Sequence, residues 1–221
     1  MARNIVIIGT NRGIGLELVR TYKSKGDNVV AVCRSSSTEL EGEGVHIVSG
    51  VDVKNDSIVT SLASMVPYKS VDILIHNAGI FCQDSFPEIN LDQLRLQFEI
   101  NTLGPLKTVL ALREKLIKGS KVGLVTSRVG SIADNSSGGH YGYRTSKTAL
   151  NMIGKCLSLD LKERGVAVAM LHPGYVRTDM TNGNGMINAD ESAKGLYQRM
   201  EELSIETSGI FIHTSGEKLL W

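Results

Sequence analysis

Short, unbroken apolar runs alternate along the chain with longer stretches in which apolar residues recur every three or four positions. Asn4–Ile8 is nearly all apolar and ends at Gly9, which predicts a strand buried on both faces. In residues 13–25, Ile14, Leu16, Leu18, Val19 and Tyr22 form a helical stripe closed by Gly26. Residues 28–33 read as a second buried strand. A loop rich in Ser, Glu and Gly follows, then a third strand at 45–48 and a short helix at 56–65 that stops before Pro67. The alternation continues with a strand at 71–75, a long helix at 91–117 and a strand at 121–126. A helix at 143–163 ending near Gly165, a strand at 166–171, a helix at 189–203 and a strand at 209–213 complete it. Strands and helices taking turns predict a single doubly wound, Rossmann-type α/β domain over residues 1–221. Its parallel sheet of about seven strands carries helices on both faces.

Composition adds exclusions. The 221 residues are 42% apolar and 21% charged, which suits one globular domain with a sizeable core. A formal charge of +1 gives no global field to attract nucleic acid or an anionic membrane. No apolar run approaches the roughly 18 residues of a membrane span. The three cysteines, Cys33, Cys82 and Cys156, are scattered without metal-ligand spacing, and the five histidines are dispersed, so no metal site is expected. The expectation is a reduced, cytoplasmic protein.

Two stretches carry candidate chemistry. Gly9-Thr-Asn-Arg-Gly13-Ile-Gly15 lies where the first strand turns into the first helix. Glycines there let the backbone approach a pyrophosphate, and the N–H groups of the helix start supply partial positive charge. The second stretch runs from Ser127, at the end of the fifth strand, to Tyr143 and Lys147. Four residues apart on a helix, Tyr143 and Lys147 share a face. An ammonium beside a phenol is expected to lower the phenol's pKa, so the pair can move a proton on or off an alcohol oxygen.

These motifs, in order, resemble the short-chain dehydrogenase/reductase family in its single-domain branch. The matching residues are Gly9-x3-Gly13-x-Gly15, Asn77-Ala78-Gly79, Asn101, Ser127, Tyr143-x3-Lys147 and Pro173-Gly174 with Thr178, spanning residues 9 to 178. Within the family, the run from Gly142 to Lys147 and the Lys-Leu-Leu-Trp end are similar to small carbonyl reductases of the sniffer and C-factor type. The resemblance implies reduction of a small carbonyl compound with NADPH. Tyr143 would be the proton donor, Lys147 would also hold the nicotinamide ribose, Ser127 would orient the substrate oxygen, and Asn101 would fix a water leading from Lys147 to solvent. It further implies that Asn11 and Ile14 accompany the glycines around the phosphates, and that Asn77, Ala78 and Gly79 border the adenosine ribose. The Val176 backbone and the Thr178 hydroxyl would hold the carboxamide beside Pro173 and Gly174.

Cofactor choice rests on the end of the second strand. An acid there binds a ribose 2′-hydroxyl, whereas arginine accommodates a 2′-phosphate. Cys33 is followed by Arg34 and three serines, with no carboxylate before Glu39, and Arg12 lies in the phosphate turn. The expectation is NADPH, against the alternative of two solvated surface arginines. Asp52-Val53 resembles the family's adenine contact, against the alternative of a helix cap ahead of the Asn55-Asp56 turn. His76 stands where the family usually has Asn and is read as space-filling.

Three alternatives stay open. Ser127 and Tyr143 are sixteen residues apart, more than the family's usual spacing, and Ser131, twelve before Tyr143, is a rival serine. Ser127 is preferred because it sits at the strand end, where such folds place their ligand crevice. Phe81, Tyr141, Tyr175 and Met180 are candidate substrate-pocket walls or ordinary apolar packing. The long helical stripes fit a homodimer interface or packing on the sheet. The competing function is a dinucleotide-binding sensor of the same fold without turnover.

Overall fold

The computed structural model describes residues 2–221. The chain begins with strand β1 (Asn4–Ile8), helix α1 (Gly13–Ser24), β2 (Asn28–Val32) and a one-turn helix α2 (Thr38–Glu41). Next come β3 (His46–Val48), α3 (Ile58–Met65), β4 (Val71–His76) and α4 (Leu91–Phe98). A π-helical turn (Glu99–Leu103) leads directly into α5 (Gly104–Leu112), and β5 (Leu116–Val125) follows. The last third holds α6 (Tyr141–Asp160), β6 (Ala167–His172), α7 (Ala189–Glu202) and β7 (Ile210–His213).

The seven strands pair in parallel in the order β3-β2-β1-β4-β5-β6-β7. Alternate residues of one strand serve opposite cores. Val6 and Ile8 pack with α3, α5 and α6, while Ile5 and Ile7 pack with α1 and α7. Burial on both faces explains why the strands carry unbroken apolar runs. The order reverses between β1 and β4. Their C-terminal ends therefore flank a crevice, the usual ligand position in such sheets.

Three expectations need correction. The long helix expected over 91–117 ends at Leu112 and is interrupted by the π turn. Leu116 instead pairs with Val71 at the start of β5, because an apolar helical stripe and an apolar strand read alike until a partner strand is in place. The loop expected after β2 contains α2, whose Leu40 N–H donates to the Ser37 hydroxyl and whose Leu40 side chain is buried. The helix expected from Tyr143 starts two residues earlier and ends at Asp160. Among the described residues, no helix is long and apolar enough to cross a membrane.

Candidate active site

A cleft of about 500 Å³ opens at the C-terminal ends of β1, β2, β4 and β5. The turn from β1 into α1 forms its floor. Gly9 has φ +86°, and a Cβ there would come within 2.6 Å of the Ala78 backbone. A Cβ on Gly15 would stand 1.9 Å from the Gly9 carbonyl and 2.7 Å from Asn77 Nδ2. Gly15 is buried behind the cleft, so its lack of a side chain serves close packing of α1 on the strand ends. Asn77 Nδ2 donates to the Gly9 carbonyl at 2.8 Å, which ties the β4 end to the turn. Gly13, at φ +55°, faces the Thr178 methyl group across the cleft mouth.

Gly9, Asn11, Arg12, Gly13, Ile14, Arg34, Asp52, Val53, Asn77, Ala78, Gly79, Pro173, Thr178 and Met180 all line this cleft. Among the described residues, the Arg34 side chain has no hydrogen-bond or ion-pair partner, which leaves its guanidinium available at the β2 end. Arg12 reaches across the mouth to Asp179 at 2.9 Å, a solvated pair. Asp52 lines the cleft, and its Oδ1 accepts from Lys54 N at 3.0 Å in a tight turn; the helix that follows has Ser57 at its N-cap, not Asp52. Gly174 and Val176 lie off the cleft. The Val176 side chain is buried, and its carbonyl accepts from the Thr181 hydroxyl. Left-handed glycines, a free arginine and a helix N-terminus at one cleft fit a dinucleotide phosphate well.

Tyr143 and Lys147 share the next wall of the cleft. Lys147 Nζ lies 5.7 Å from the phenol ring centroid and donates to the Val125 carbonyl at 2.9 Å. Ser127 holds the turn that follows β5. That turn docks on α6 so tightly that a Cβ on Gly130 would stand 2.8 Å from the Lys147 backbone. Thr148 and Arg144 of α6 donate to the Gly130 and Val129 carbonyls. The Ser127 hydroxyl faces the phenol and favours its ionised form. Ser131 points elsewhere: it donates to the Trp221 carbonyl at 3.0 Å and accepts from Asp134 N at 3.1 Å. Of the two serines, Ser127 is the one beside Tyr143.

The electrostatics depart from expectation. Burial pushes the Tyr143 phenol up to about 12, with Ser127 only partly opposing it. Burial also pushes Lys147 down to about 8. The net shift of the phenol is therefore upward rather than the lowering expected from Lys147, because its own desolvation is the largest cause; the Lys147 ammonium is directed at the Val125 carbonyl. His76 fills space, as expected. It is buried, its Nδ1 meets the Thr108 hydroxyl at 3.1 Å, and burial lowers it to about 3, so it is neutral.

Asn101 sits in the π turn. Its side chain accepts from Ile80 N at 2.8 Å and donates to Ile80 O at 2.9 Å and to the Ser146 hydroxyl at 3.1 Å. The Asn101 Oδ1 lies beside the place where Gly79 has no side chain; a Cβ there would be 3.2 Å from that oxygen and 3.7 Å from Lys147 Nζ. Of the expected pocket walls, Phe81 meets the Tyr143 ring edge-on at 5.2 Å, and Met180 lines the cleft. Tyr141 and Tyr175 are exposed and off it. Asp84 and Gln97, both buried against this region, had no signal in the sequence, since their partners lie up to 58 positions away.

Comparison with known proteins agrees with this geometry. The family described as short chain dehydrogenase matches residues 3–186. The 1-hydroxy-2-glutathionyl-2-methyl-3-butene dehydrogenase of Rhodococcus sp. (strain AD45) is 41% identical, over 98% of this chain and 99% of that protein. C-signal of Myxococcus xanthus is 38% identical, over 68% of this chain and 93% of its own length. The carbonyl reductase Sniffer of D. melanogaster superposes with TM-score 0.90 at 28% identity over the whole of both chains. NADPH-bound carbonyl reductase from chicken fatty liver superposes with TM-score 0.88 at 27% identity, over 100% of this chain and 99% of that one. This chain belongs to the short-chain dehydrogenase/reductase family and is an oxidoreductase of that type.

Proposed function

We propose that the protein reduces an aldehyde or ketone to an alcohol with NADPH. The observation that carries this reading is that Tyr143 and Lys147 line the same cleft that the glycine turn and Arg34 border, with Ser127 beside the Tyr143 phenol. The cofactor, when bound, supplies a hydride to the carbonyl carbon. The residues do the rest. Gly9 and Gly13 would bring backbone close to the phosphates, and Arg34 with Arg12 would receive the 2′-phosphate, Arg12 giving up its solvated contact with Asp179. Ser127 donates a hydrogen bond to the substrate oxygen and orients it. Tyr143 holds a proton at its hydroxyl and passes it to the oxygen as charge develops there. With its pKa raised, the phenol is protonated at neutral pH, which is the form reduction needs. The proton that leaves Tyr143 would be restored from Lys147, whose own charge is weakly held, and Lys147 would regain one from solvent through water at the Gly79 gap, between its ammonium and Asn101. The NADPH-bound chicken enzyme supports the cofactor choice.

The 41% identical relative, named as a dehydrogenase of a glutathionyl alcohol, supports a second reading in which the same residues run in reverse on an alcohol. The likeness to C-signal supports a third, a sensor without turnover. One experiment separates them. NADPH consumption is followed with a panel of aldehydes, ketones, diketones and quinones, and NADP+ reduction with glutathionyl alcohols, using Tyr143→Phe as control. Carbonyl turnover falling about 10²- to 10⁴-fold in the control is expected. Turnover on alcohols alone would favour oxidation, and tight NADPH binding with no turnover would favour the sensor.

A further inference from the structure

Between the end of β4 and α4, the segment at residues 80–84 is held by a ladder of side-chain amides. Asn101 bonds both the N–H and the carbonyl of Ile80. Gln97 does the same for Cys82, accepting from its N–H at 2.9 Å and donating to its carbonyl at 3.3 Å. The two amides are four residues apart on a helical segment, a rise of roughly 6 Å. Their targets are two residues apart, roughly 6.6 Å in an extended chain. The spacings match, so the segment lies along the helix as an added strand would along a sheet edge.

The next residue in this alternation is Asp84. Its two carboxylate oxygens accept from the N–H groups of Tyr141 and Gly142, the latter at 2.9 Å, and its own carbonyl accepts from His140 N at 3.0 Å. One residue therefore satisfies three consecutive N–H groups at the start of α6. His140, immediately before the helix, supplies no side-chain cap and sits in the left-handed region at φ +50°. Left to itself, this helix start would have unpaired donors and a strained entry. A carboxylate here also complements the helix dipole. Gly142 is required by the fit, since a Cβ there would stand 2.4 Å from Gln97 Nε2. Phe81, on the other side of the segment, braces the rings of both His140 and Tyr143 at 5.2 Å. Asp84, Gln97 and Asn101 are all buried with their polar atoms engaged, an arrangement that is costly unless fully satisfied and is therefore rigid when it is.

We propose that Asp84 is a positioning residue for Tyr143, capping the helix from a strap that Gln97 and Asn101 hold in register. The strap links the π turn to the phenol two residues into the helix, and it rests on the reading of Tyr143 as the proton donor. Holding the reacting hydroxyl in line is where a distant contact acts on rate, since a displacement of about 1 Å can cost about 100-fold.

The test uses the full chain with NADPH and the best carbonyl from the panel, comparing Asp84→Ala, Asp84→Asn and Tyr143→Phe. Asp84→Ala is expected to lose about 100-fold in kcat, with NADPH affinity and folded fraction unchanged and with the basic limb of the kcat profile displaced. Asp84→Asn keeps one acceptor and is expected to recover part of the rate and most of the displacement. If Asp84→Ala does not fold, Asp84→Asn carries the test through its intermediate kcat and displaced limb. An unchanged kcat and pH profile in the folded variants would overturn the strap, as would a rate loss that merely follows weakened NADPH binding. A dead Tyr143→Phe beside a fully active Asp84→Ala overturns the strap alone. Full turnover in Tyr143→Phe overturns both the strap and the reading beneath it.

Discussion

Two turns border the same cleft and are held in opposite ways. From Gly9 to Gly15 the chain is packed without room for side chains: Gly15 meets the Gly9 carbonyl and Gly9 meets the Ala78 backbone, so glycine is demanded at fixed places. From Ser127 to Tyr143 the chain relies on distant partners. Ser131 and Ala133 are tied to the Trp221 carbonyl, the helix start at 140–142 is tied to Asp84, and Arg144 gathers the Gly138 and Gly139 carbonyls. Three successive left-handed residues, Gly138, Gly139 and His140, bring the longer loop back to the helix. A turn whose packing excludes side chains leaves its signature in the glycines of a seven-residue motif. A turn held by remote contacts tolerates extra length, because its ends are fixed from outside.

The sharpest way to break that comparison is the pair of serines. Ser127→Ala should lower kcat by about 10²- to 10³-fold through loss of the donor to the developing oxyanion. Ser131→Ala should leave kcat unchanged and cost about 1 kcal/mol of stability through its two loop contacts. Urea unfolding and steady-state rates together read both, and the reverse pattern would move the functional serine into the loop. Next is Gly15→Ala. Overpacking against Gly9 and Asn77 should destabilise the fold by about 1–3 kcal/mol and weaken NADPH binding; unchanged values would show that the phosphate turn has slack. Arg34→Ala should reduce the preference for NADPH over NADH by about tenfold, the loss of one charge-assisted contact. An unchanged ratio of kcat/KM values would remove Arg34 from cofactor selection.

The smallest signal is in pH. Burial lowers Lys147 from 10.5 to about 8 in the folded state, so between those values the unfolded chain binds more protons and stability rises with pH. The cost of burying the ammonium is complete below pH 8 and fades above it. Lys147→Met should therefore raise Tm at pH 7, with the advantage shrinking toward pH 10. A constant difference across that range would mean the ammonium is not desolvated.

Much of the architecture was legible in the chain. β1, β2, β4 and β6 are buried on both faces, and unbroken apolar runs bounded by Gly or polar residues reveal such strands directly. The end of α5 was not legible, because Leu116 and Ile117 extend an apolar helical stripe and only pairing with Val71 draws the chain into a strand. Gly15 was legible as a glycine of the phosphate turn, but its packing role appears only where the Gly9 carbonyl lies against it. Asp84 and Gln97 look like unremarkable loop and helix residues, since a polar side chain carries no mark of a partner far along the chain.

The sequence by itself determined the alternation of strands and helices, the glycine turn at the first strand end, and the placement of Tyr143 and Lys147 on one helix face. These follow from local periodicity and backbone preference. The tertiary structure decided which serine stands beside the phenol, what caps the helix that carries it, and in which direction Tyr143 and Lys147 shift. Orientation and desolvation depend on groups brought close by folding, so no spacing along the chain could have supplied them.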